Sequence, residues 1–487
     1  MNLVRCCAPP VVAWHAVAAA ARHTRTAFVL VCAMTYACAT PAAEGVSLPP
    51  FERLQLDNGT VLLLMERHDV PLIAFDARVR GGAMMDPPDR NGIASLLAGL
   101  LEKGAGERDA LSFAQTVASV GGTIESSAAT DAISIRGSFM ARDRKLMVEL
   151  LSDILLRPKL DAAELQSLRA RRIEFIRAAK DSNLAALAPI YGTAELLGDH
   201  PYGKPVVGSE ETLEKIATED IQKFYGEQLG ADRLIIAIAG DFATAEMKRL
   251  LSARFSKWRK AGSALPAIAA PGKQSGRHVL LIDAPESVQS YFWIGNVGVA
   301  RSDARRAAID VVNTLFGGRF TSMLNSELRI RTGLSYGAGS RFDRMQQPGP
   351  WEITSFTRTE TTVEAIDLAF ATLDKLHQGA LDAEMLESSK KYVLGQFPLG
   401  FETASQWASQ LATLELYELG RPYIEGYADA LQAVGLDDTR KVTQQVFPTS
   451  EDVVLVVIGN AGNIRDGLKK YGPMTEMKLA EGRFGKQ

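Results

Sequence analysis

Arg329 and Tyr336 are the two residues whose types and spacing are best suited to chemistry. Arg329 is a permanent cation with a forked set of donors, and Tyr336 carries a phenolic donor. Gly333 lies between them, and a left-handed turn there would let a helix end near Arg329 and a strand begin at Tyr336. That reversal would aim both side chains the same way. In the ordinary alternative, Arg329 pairs with a nearby acid and Tyr336 packs in a core.

Residues 92–104 have the spacing of a metal-binding helix without the metal ligands. In the pattern His-x-x-Glu-His, two histidines one helical turn apart hold one zinc, and the glutamate is the general base. Here Ser95, Ala98 and Gly99 occupy those three places, and none of them can bind zinc or take a proton from water. No Gly-x-Ser-x-Gly elbow surrounds Ser95, so we do not expect a serine nucleophile either.

No other segment supplies a replacement metal site. The histidines after residue 43 are His68, His200, His278 and His377. None of them lies three to five residues from another, as two ligands on one helical turn would. We therefore predict that this chain holds no zinc and no other cofactor.

Residues 1–43 have the features of a secretory signal peptide. They contain three arginines, no acidic residue and an apolar run at residues 27–34, followed by small residues. The run is far shorter than the roughly 20 residues that span a bilayer. All four cysteines lie in this segment, so the mature chain would have no disulfide. We predict an exported, periplasmic protein without a membrane span, with a lipid anchor at Cys38 as a lesser alternative.

Length and composition indicate a globular protein with more than one domain. The 487 residues are 46% hydrophobic and 23% charged, which is enough for two full cores. The formal net charge of -3 becomes -6 once the three arginines of the predicted signal peptide are removed. A mildly acidic protein of this kind is not expected to bind nucleic acid.

The chain repeats one plan of elements. A late helix begins at residues 160–165 and again at 381–386, and apolar strands ending in glycine follow at 233–240 and 453–459. Residues 261–276 between the halves are rich in Pro, Ala and Gly, as in an interdomain linker. We therefore predict a signal peptide at 1–43, domains at 44–260 and 277–487, and a linker at 261–276.

Strands and long helices alternate within each half. Strands are predicted at residues 61–65, 133–139 and 351–356. Helices are predicted at residues 109–120, 144–156, 161–180, 212–229 and 362–376, several behind an Asp or Thr cap. The fold class is α+β, with one helix-packed sheet built twice, and the alternation does not by itself fix the topology.

With these segments identified, the chain resembles the pitrilysin/insulinase family of zinc peptidases, the inverzincins. It is most similar to their short two-domain bacterial form, which is related to mitochondrial processing peptidase. The matching segments are residues 80–86, 92–104, 121–131, 200–208 and 324–336, in that order. The resemblance covers about residues 48–468 and implies two homologous domains, each a mostly antiparallel sheet packed with helices.

The resemblance also assigns roles to residues. Arg329 and Tyr336 match the pair that reaches from the second domain to hold the substrate backbone and stabilise the oxyanion. In the family, the substrate backbone adds as a strand to a sheet edge in the first domain. The residues that match this edge here are Gly122, Thr123, Ile124, Glu125 and Ser126. The family's third zinc ligand is a glutamate far beyond the helix, and Glu174 lies near that distance. A solvated acid is the favoured interpretation of Glu174, and one carboxylate cannot hold catalytic zinc.

Some family members pair a chain that carries zinc with a chain that lacks zinc but keeps the Arg/Tyr pair. This chain looks like the second kind. The resemblance thus implies a non-catalytic subunit of an exported heterodimeric zinc peptidase, with zinc on the partner and peptides or unfolded proteins as substrates. Two alternatives remain open: a peptide-binding or scaffold protein without a peptidase partner, and a self-sufficient peptidase, for which a homodimer is included.

Overall fold

Two six-stranded sheets with helices packed on them form the fold, which a computed structural model describes for residues 45–485. The strands are β1 (Glu52–Gln55), β2 (Val61–Glu66), β3 (Leu72–Arg80), β4 (Gly104–Ala105), β5 (Arg108–Asp109), β6 (Thr123–Ala128), β7 (Ala132–Met140), β8 (Leu234–Gly240), β9 (His278–Asp283), β10 (Gln289–Val297), β11 (Ala338–Arg344), β12 (Pro348–Arg358), β13 (Val454–Gly459) and β14 (Met474–Lys478).

The helices follow the same chain order. They are α1 (Ile93–Leu101), α2 (Ala110–Ser119), α3 (Arg144–Leu156), α4 (Ala162–Ser182), α5 (Leu184–Leu197), α6 (Glu210–Glu214), α7 (Thr218–Gln228), α8 (Thr244–Phe255), α9 (Arg306–Asn313), α10 (Met323–Asn325), α11 (Thr362–His377), α12 (Ala383–Gln396), α13 (Ala404–Leu416), α14 (Pro422–Glu425), α15 (Tyr427–Ala433), α16 (Leu436–Val446) and α17 (Ala461–Leu468). Two π-helical segments, Thr314–Gly318 and Ser326–Arg331, flank α10.

The two sheets share one topology. The first has the order β1-β2-β8-β3-β7-β6 and the second the order β14-β9-β13-β10-β12-β11. The pairs β2/β8 and β9/β13 are parallel, and the three pairs after them are antiparallel in both sheets. Only the outermost strand at one edge differs, because β1 precedes β2 whereas β14 comes from the end of the chain. The predicted fold class, with its repeated and mostly antiparallel sheet, is confirmed.

The buried central strands explain why the repeat was visible in the sequence. Every residue of β8 and of β13 is buried, and strands covered on both faces are continuous apolar runs. Gly240, at the end of β8, has a φ of 135° and lies so close to β3 that a Cβ would stand 2.2 Å from the carbonyl oxygen of Leu72. The glycine that closes this strand is therefore required by backbone contact.

Each half of the chain places one helix on the sheet of the other half. Helix α5 packs on β10 and β13, where Gly192 lies against the ring of Trp293. Helix α13 packs on β3 and β8, and the guanidinium of Arg80 donates to the carbonyl oxygen of Leu416 at 2.6 Å. Each core is completed by the other half, and residues 45–485 lie in one compact unit. The predicted domain boundaries stay a prediction.

One predicted helix is divided. The segment 212–229 forms α6 and α7 instead of one helix, because Ser209 caps the first and the carboxylate of Asp220 accepts from the backbone N–H of Ala217 at the start of the second. The predicted signal peptide and Cys38 lie outside the described residues. Within residues 45–485, no helix combines the length and the apolar character that crossing a membrane requires.

Candidate functional site

Helix α1, which carries the three altered zinc positions, is a core helix. Eight of its nine residues are buried, including Ser95 and Ala98. The side chain of Leu168, on α4, packs on Gly99 so closely that a Cβ there would lie 2.7 Å from its Cδ2. Asp86 caps the helix by accepting from the backbone N–H groups of Gly92 at 2.7 Å and Ala94 at 3.2 Å. Apolar side chains therefore occupy the space beside this helix.

The donors that zinc would need do not come together. Glu174 lies on the outer face of α4 with about two-thirds of its side chain exposed, and it pairs with Arg177 at 2.8 Å. Across residues 45–485, no group of three or more His, Cys, Asp or Glu side chains is arranged to hold a metal ion. Serine, alanine and glycine on α1 therefore do not fit the zinc that such a helix would otherwise bind.

Strand β6 forms the edge of the first sheet and contains four of the five predicted substrate-binding residues. Gly122 directly precedes the strand, and Thr123, Ile124, Glu125 and Ser126 lie in it, paired on one side with β7. The backbone N–H of Ser126 points away from β7 and donates to the carboxylate of Glu102. Alternation in an antiparallel ladder then directs the polar backbone groups of Ile124, Ser126 and Ala128 outward. This edge has the geometry for strand addition.

A contact between the halves lies at the end of the β6–β7 turn. The hydroxyl of Tyr202 donates to the carboxylate of buried Asp131 at 2.7 Å. The backbone N–H of Gln346 donates to the same carboxylate at 2.9 Å, and that of Gln347 donates to the Tyr202 oxygen at 3.1 Å. Burial raises the pKa of Tyr202, and the charge of Asp131 adds to this effect. Two motifs of the first half thus hold the β11–β12 turn of the second.

Arg329 and Tyr336 contact each other. Arg329 lies in the π-helical segment Ser326–Arg331, Gly333 has a φ of 65°, and Tyr336 stands two residues before β11. The guanidinium carbon of Arg329 lies 4.4 Å from the centre of the Tyr336 ring and 4.8 Å from that of Phe320. Tyr336 is 75% exposed and Phe320 60%. The predicted turn at Gly333 is present, and Phe320 is a further member of the cluster that no sequence signal marked.

The ordinary alternative for this pair is wrong. Tyr336 does not pack in a core, and within residues 45–485 Arg329 makes no ion pair. The nearest acid on the same segment, Glu327, is taken by Arg331 and by Lys375 at 3.0 Å. Although burial acts to raise it, Lys375 and Arg331 hold the pKa of Glu327 below its usual value. The half-buried guanidinium of Arg329 stacks on the two exposed rings, an arrangement that leaves the donors at its edge available.

The second half has a polar counterpart of α1. Counted back from the edge strand, Asp310, Asn313 and Thr314 stand where Ser95, Ala98 and Gly99 stand in the first half. They line a cavity of about 550 Å³. Asp310 accepts from Arg344 at 2.7 Å and from the Tyr427 hydroxyl at 2.5 Å. No sequence signal marked these residues, because α9 and the π-helical segment that contain them have no recognised motif.

Comparisons with known proteins match both halves. The family description "Insulinase (Peptidase family M16)" matches residues 73–209, and "Peptidase M16 inactive domain" matches residues 215–393. An uncharacterized zinc protease, YmxG of Bacillus subtilis, is 22% identical over 85% of this chain and 99% of its own length. A protein named "Non-peptidase homolog YmxG" of Helicobacter pylori is 23% identical over 73% of this chain and 82% of its own.

Solved structures support the same fold. A peptidase M16 inactive domain from Pseudomonas fluorescens superposes with a TM-score of 0.78 at 22% identity, over 84% of this chain and 98% of its own. A protease from Helicobacter pylori gives a TM-score of 0.77 at 21% identity, over 84% and 100%. At this level of identity the likeness concerns the fold alone.

Proposed function

The chain belongs to the insulinase family of peptidases, family M16, and on that premise we propose that it is the non-catalytic, substrate-binding subunit of an exported heterodimeric zinc metallopeptidase. Its partner would carry the zinc, and Arg329 and Tyr336 would act in trans at the partner's site. The mature chain would begin near residue 44 and act in the periplasm. Its two domains, residues 44–260 and 277–487, would form one wall of the substrate chamber.

The contact between half-buried Arg329 and exposed Tyr336 carries this proposal. Within residues 45–485 no carboxylate pairs with Arg329, and its guanidinium lies against the exposed rings of Tyr336 and Phe320, so that two aromatic groups and a cation meet at one place on the surface. The donors of Arg329 and Tyr336 suit a peptide carbonyl and the negative charge that develops on it during hydrolysis. Helix α1 supports the non-catalytic assignment, because Ser95, Ala98 and Gly99 leave no metal ligand there.

Strand β6 would bind the substrate backbone in this arrangement. Its outward groups at Ile124, Ser126 and Ala128 can form a ladder with an extended peptide, while the side chains of Thr123 and Glu125 are exposed beside it. Binding of this kind needs backbone hydrogen bonds and little side-chain specificity. Short peptides and unfolded proteins are therefore the expected substrate class.

The in-trans role can be tested by co-expressing residues 44–487 with the product of a neighbouring gene that carries His-x-x-Glu-His. We expect Arg329→Ala or Tyr336→Phe to lower kcat for peptide hydrolysis about 10²-fold, because an oxyanion donor is lost, while zinc content stays unchanged. Arg331→Ala is the matched control, since Arg331 lies on the same segment but is paired with Glu327. Equal turnover of Arg329→Ala and Arg331→Ala would contradict the role.

A peptide-binding or scaffold protein without a peptidase partner is the second candidate. The apolar packing of Leu168 against α1 favours this second candidate, because a helix packed in this way needs no zinc-bearing partner beside it. Purification of the chain from its native host distinguishes the two: copurification of a chain with the zinc motif supports the subunit, and its absence supports the scaffold. Stoichiometric zinc in the isolated chain would contradict both and support a self-sufficient peptidase.

A further inference from the structure

One backbone group on the outer edge of β6 already has a hydrogen-bond partner. Ser126 is the one residue of β6 whose backbone is bonded by a side chain within residues 45–485, and the acceptor is the carboxylate of Glu102. Glu102 directly follows α1, so a rigid core helix fixes where its side chain begins. The carboxylate therefore occupies the position that the carbonyl oxygen of an added peptide strand would take.

The contact is strong but carries a cost. Hydrogen bonds from an N–H group to a carboxylate are stronger than those to a neutral carbonyl. Burial raises the pKa of Glu102 even though the Ser126 N–H and Lys103 favour the charged form, and Glu125 acts in the same direction as burial. The charged carboxylate thus loses solvation in this contact and regains it on release into water. Such a group can be displaced by a competing ligand.

The matching edge of the second sheet is closed in a different way. On β11 the backbone N–H of Ala338 donates to the side-chain oxygen of Asn325 at 3.3 Å. The side-chain amide of Asn313 donates to the carbonyl oxygen of Ser340 at 3.0 Å. These two neutral amides cover one backbone donor and one backbone acceptor of β11. Because neither amide is charged, the contacts do not require the desolvation of a charged group. The carboxylate cap is particular to the edge that would receive the peptide.

We propose that Glu102 is a displaceable cap of the β6 edge, which competes with an extended peptide for the backbone N–H of Ser126. This inference rests on the proposed strand addition to β6 and defines how that site is regulated. In the free protein the cap covers the edge and protects it from pairing with other chains, a known hazard of edge strands. A peptide binds only after Glu102 has moved away.

Peptide affinity tests the cap. The probe is a fluorescein-labelled peptide of alternating Thr and Val with serine-rich ends, and binding to residues 44–487 is followed by fluorescence anisotropy. We expect Glu102→Ala to tighten binding about tenfold, the value of one hydrogen bond. Glu102→Gln, which keeps the shape and a neutral acceptor, should give an intermediate gain. Unchanged or weaker binding by a folded Glu102→Ala would overturn the cap.

Two further variants separate the cap from other effects. Glu125→Gln removes a neighbouring negative charge on the same strand without changing the contact to the Ser126 N–H. If the gain in affinity comes from freeing that N–H, peptide affinity in Glu125→Gln should stay within about twofold of the wild type. Ser126→Pro removes the outward N–H while leaving the β7 ladder intact, and should abolish the gain of Glu102→Ala. A gain in Glu125→Gln equal to that of Glu102→Ala would contradict the cap.

The failure of the cap and that of the proposed function give different results. If the wild type and Glu102→Ala bind the peptide equally, strand addition stands and the cap is wrong. If no variant binds at any concentration, strand addition to β6 is itself wrong and the cap falls with it. Hydrogen exchange gives a readout without peptide: the Ser126 amide should exchange faster in Glu102→Ala, and unchanged exchange would overturn the cap.

Discussion

The clefts beside the two edge strands have the same backbone plan and opposite chemistry. In the first half, Leu168 fills the space beside α1, and the helix presents Ser95, Ala98 and Gly99. In the second half the matching positions are polar and border an open cavity. A repeated fold fixes where a cleft lies, but side-chain volume and polarity decide whether it is a core or a site.

The same contrast holds for the functional groups that remain. The first half has an outward-facing β6 edge and no metal ligands on α1, whereas the second half has half-buried Arg329 in contact with exposed Tyr336. Neither half has a complete peptidase site within residues 45–485. Under the proposed function, the metal chemistry would lie on a partner chain.

Restoring histidines to α1 should have the largest effect on this comparison. In Ser95→His with Gly99→His, an imidazole must enter the space of Leu168, where even a Cβ meets its Cδ2 at 2.7 Å. We expect the free energy of unfolding to fall by about 3 kcal/mol or more from overpacking and buried polar atoms. Chemical denaturation measures this, and zinc analysis should find no stoichiometric metal. A stable, zinc-loaded variant would show that the cleft is not closed.

Asp86, which caps α1, predicts a pH dependence of the free energy of unfolding. Burial raises the pKa of Asp86 from 3.8 in the unfolded chain to about 7 in the native state. The N–H groups of Gly92 and Ala94 and the charge of Lys204 act to lower the pKa but do not offset burial. Between these values the native state holds the extra proton, so its stability must fall as pH rises. We expect the wild type to lose about 2 kcal/mol more than Asp86→Asn between pH 5 and 7. Parallel profiles in denaturation would contradict this.

The contact that joins the halves should matter less. Tyr202→Phe removes the hydroxyl that donates to buried Asp131 and accepts from Gln347. We expect a loss of about 1–2 kcal/mol in the free energy of unfolding, because the carboxylate loses one of its donors. Tyr225→Phe, which removes a single bond to the Leu155 carbonyl within the first half, is the control. A smaller loss in Tyr202→Phe than in the control would argue against a special contact between the halves.

The edge of the second sheet should respond least. Asn313→Ala removes the donor to Ser340 and leaves the β11 edge partly open. We expect about 1 kcal/mol of destabilisation and no gain in peptide affinity, because Asn325 still covers Ala338. Denaturation and the anisotropy assay measure the two quantities. A gain comparable to that of Glu102→Ala would mean that the two edges are alike.

Local signals in the sequence were sufficient for many elements. Asp161 caps α4 as predicted, and Arg144–Leu156 forms α3 with the predicted bounds. The turn at Gly333 also follows from local geometry, because a left-handed residue after a helix favours glycine. Such features depend on neighbours in the chain, and a sequence shows those neighbours directly.

Features made by distant residues were not predictable in the same way. Phe320 stacks on Arg329 only because the chain reverses between them, and Glu102 meets Ser126 only because α1 lies beside β6. The exchange of α5 and α13 between the sheets leaves no periodic signal, since either sheet offers an apolar face. These contacts depend on packing, which sequence spacing does not report.

The sequence by itself determined the repeated α+β plan, the family, and the loss of metal ligands at Ser95, Ala98 and Gly99, since these depend on residue types and local spacing. Only the tertiary structure decided that no acid within residues 45–485 pairs with Arg329, that apolar packing closes the first cleft, and that a carboxylate covers the β6 edge. Exposure, cavity volume and charge pairing arise between residues far apart in the chain. They are therefore fixed by packing in three dimensions and not by the order of residues alone.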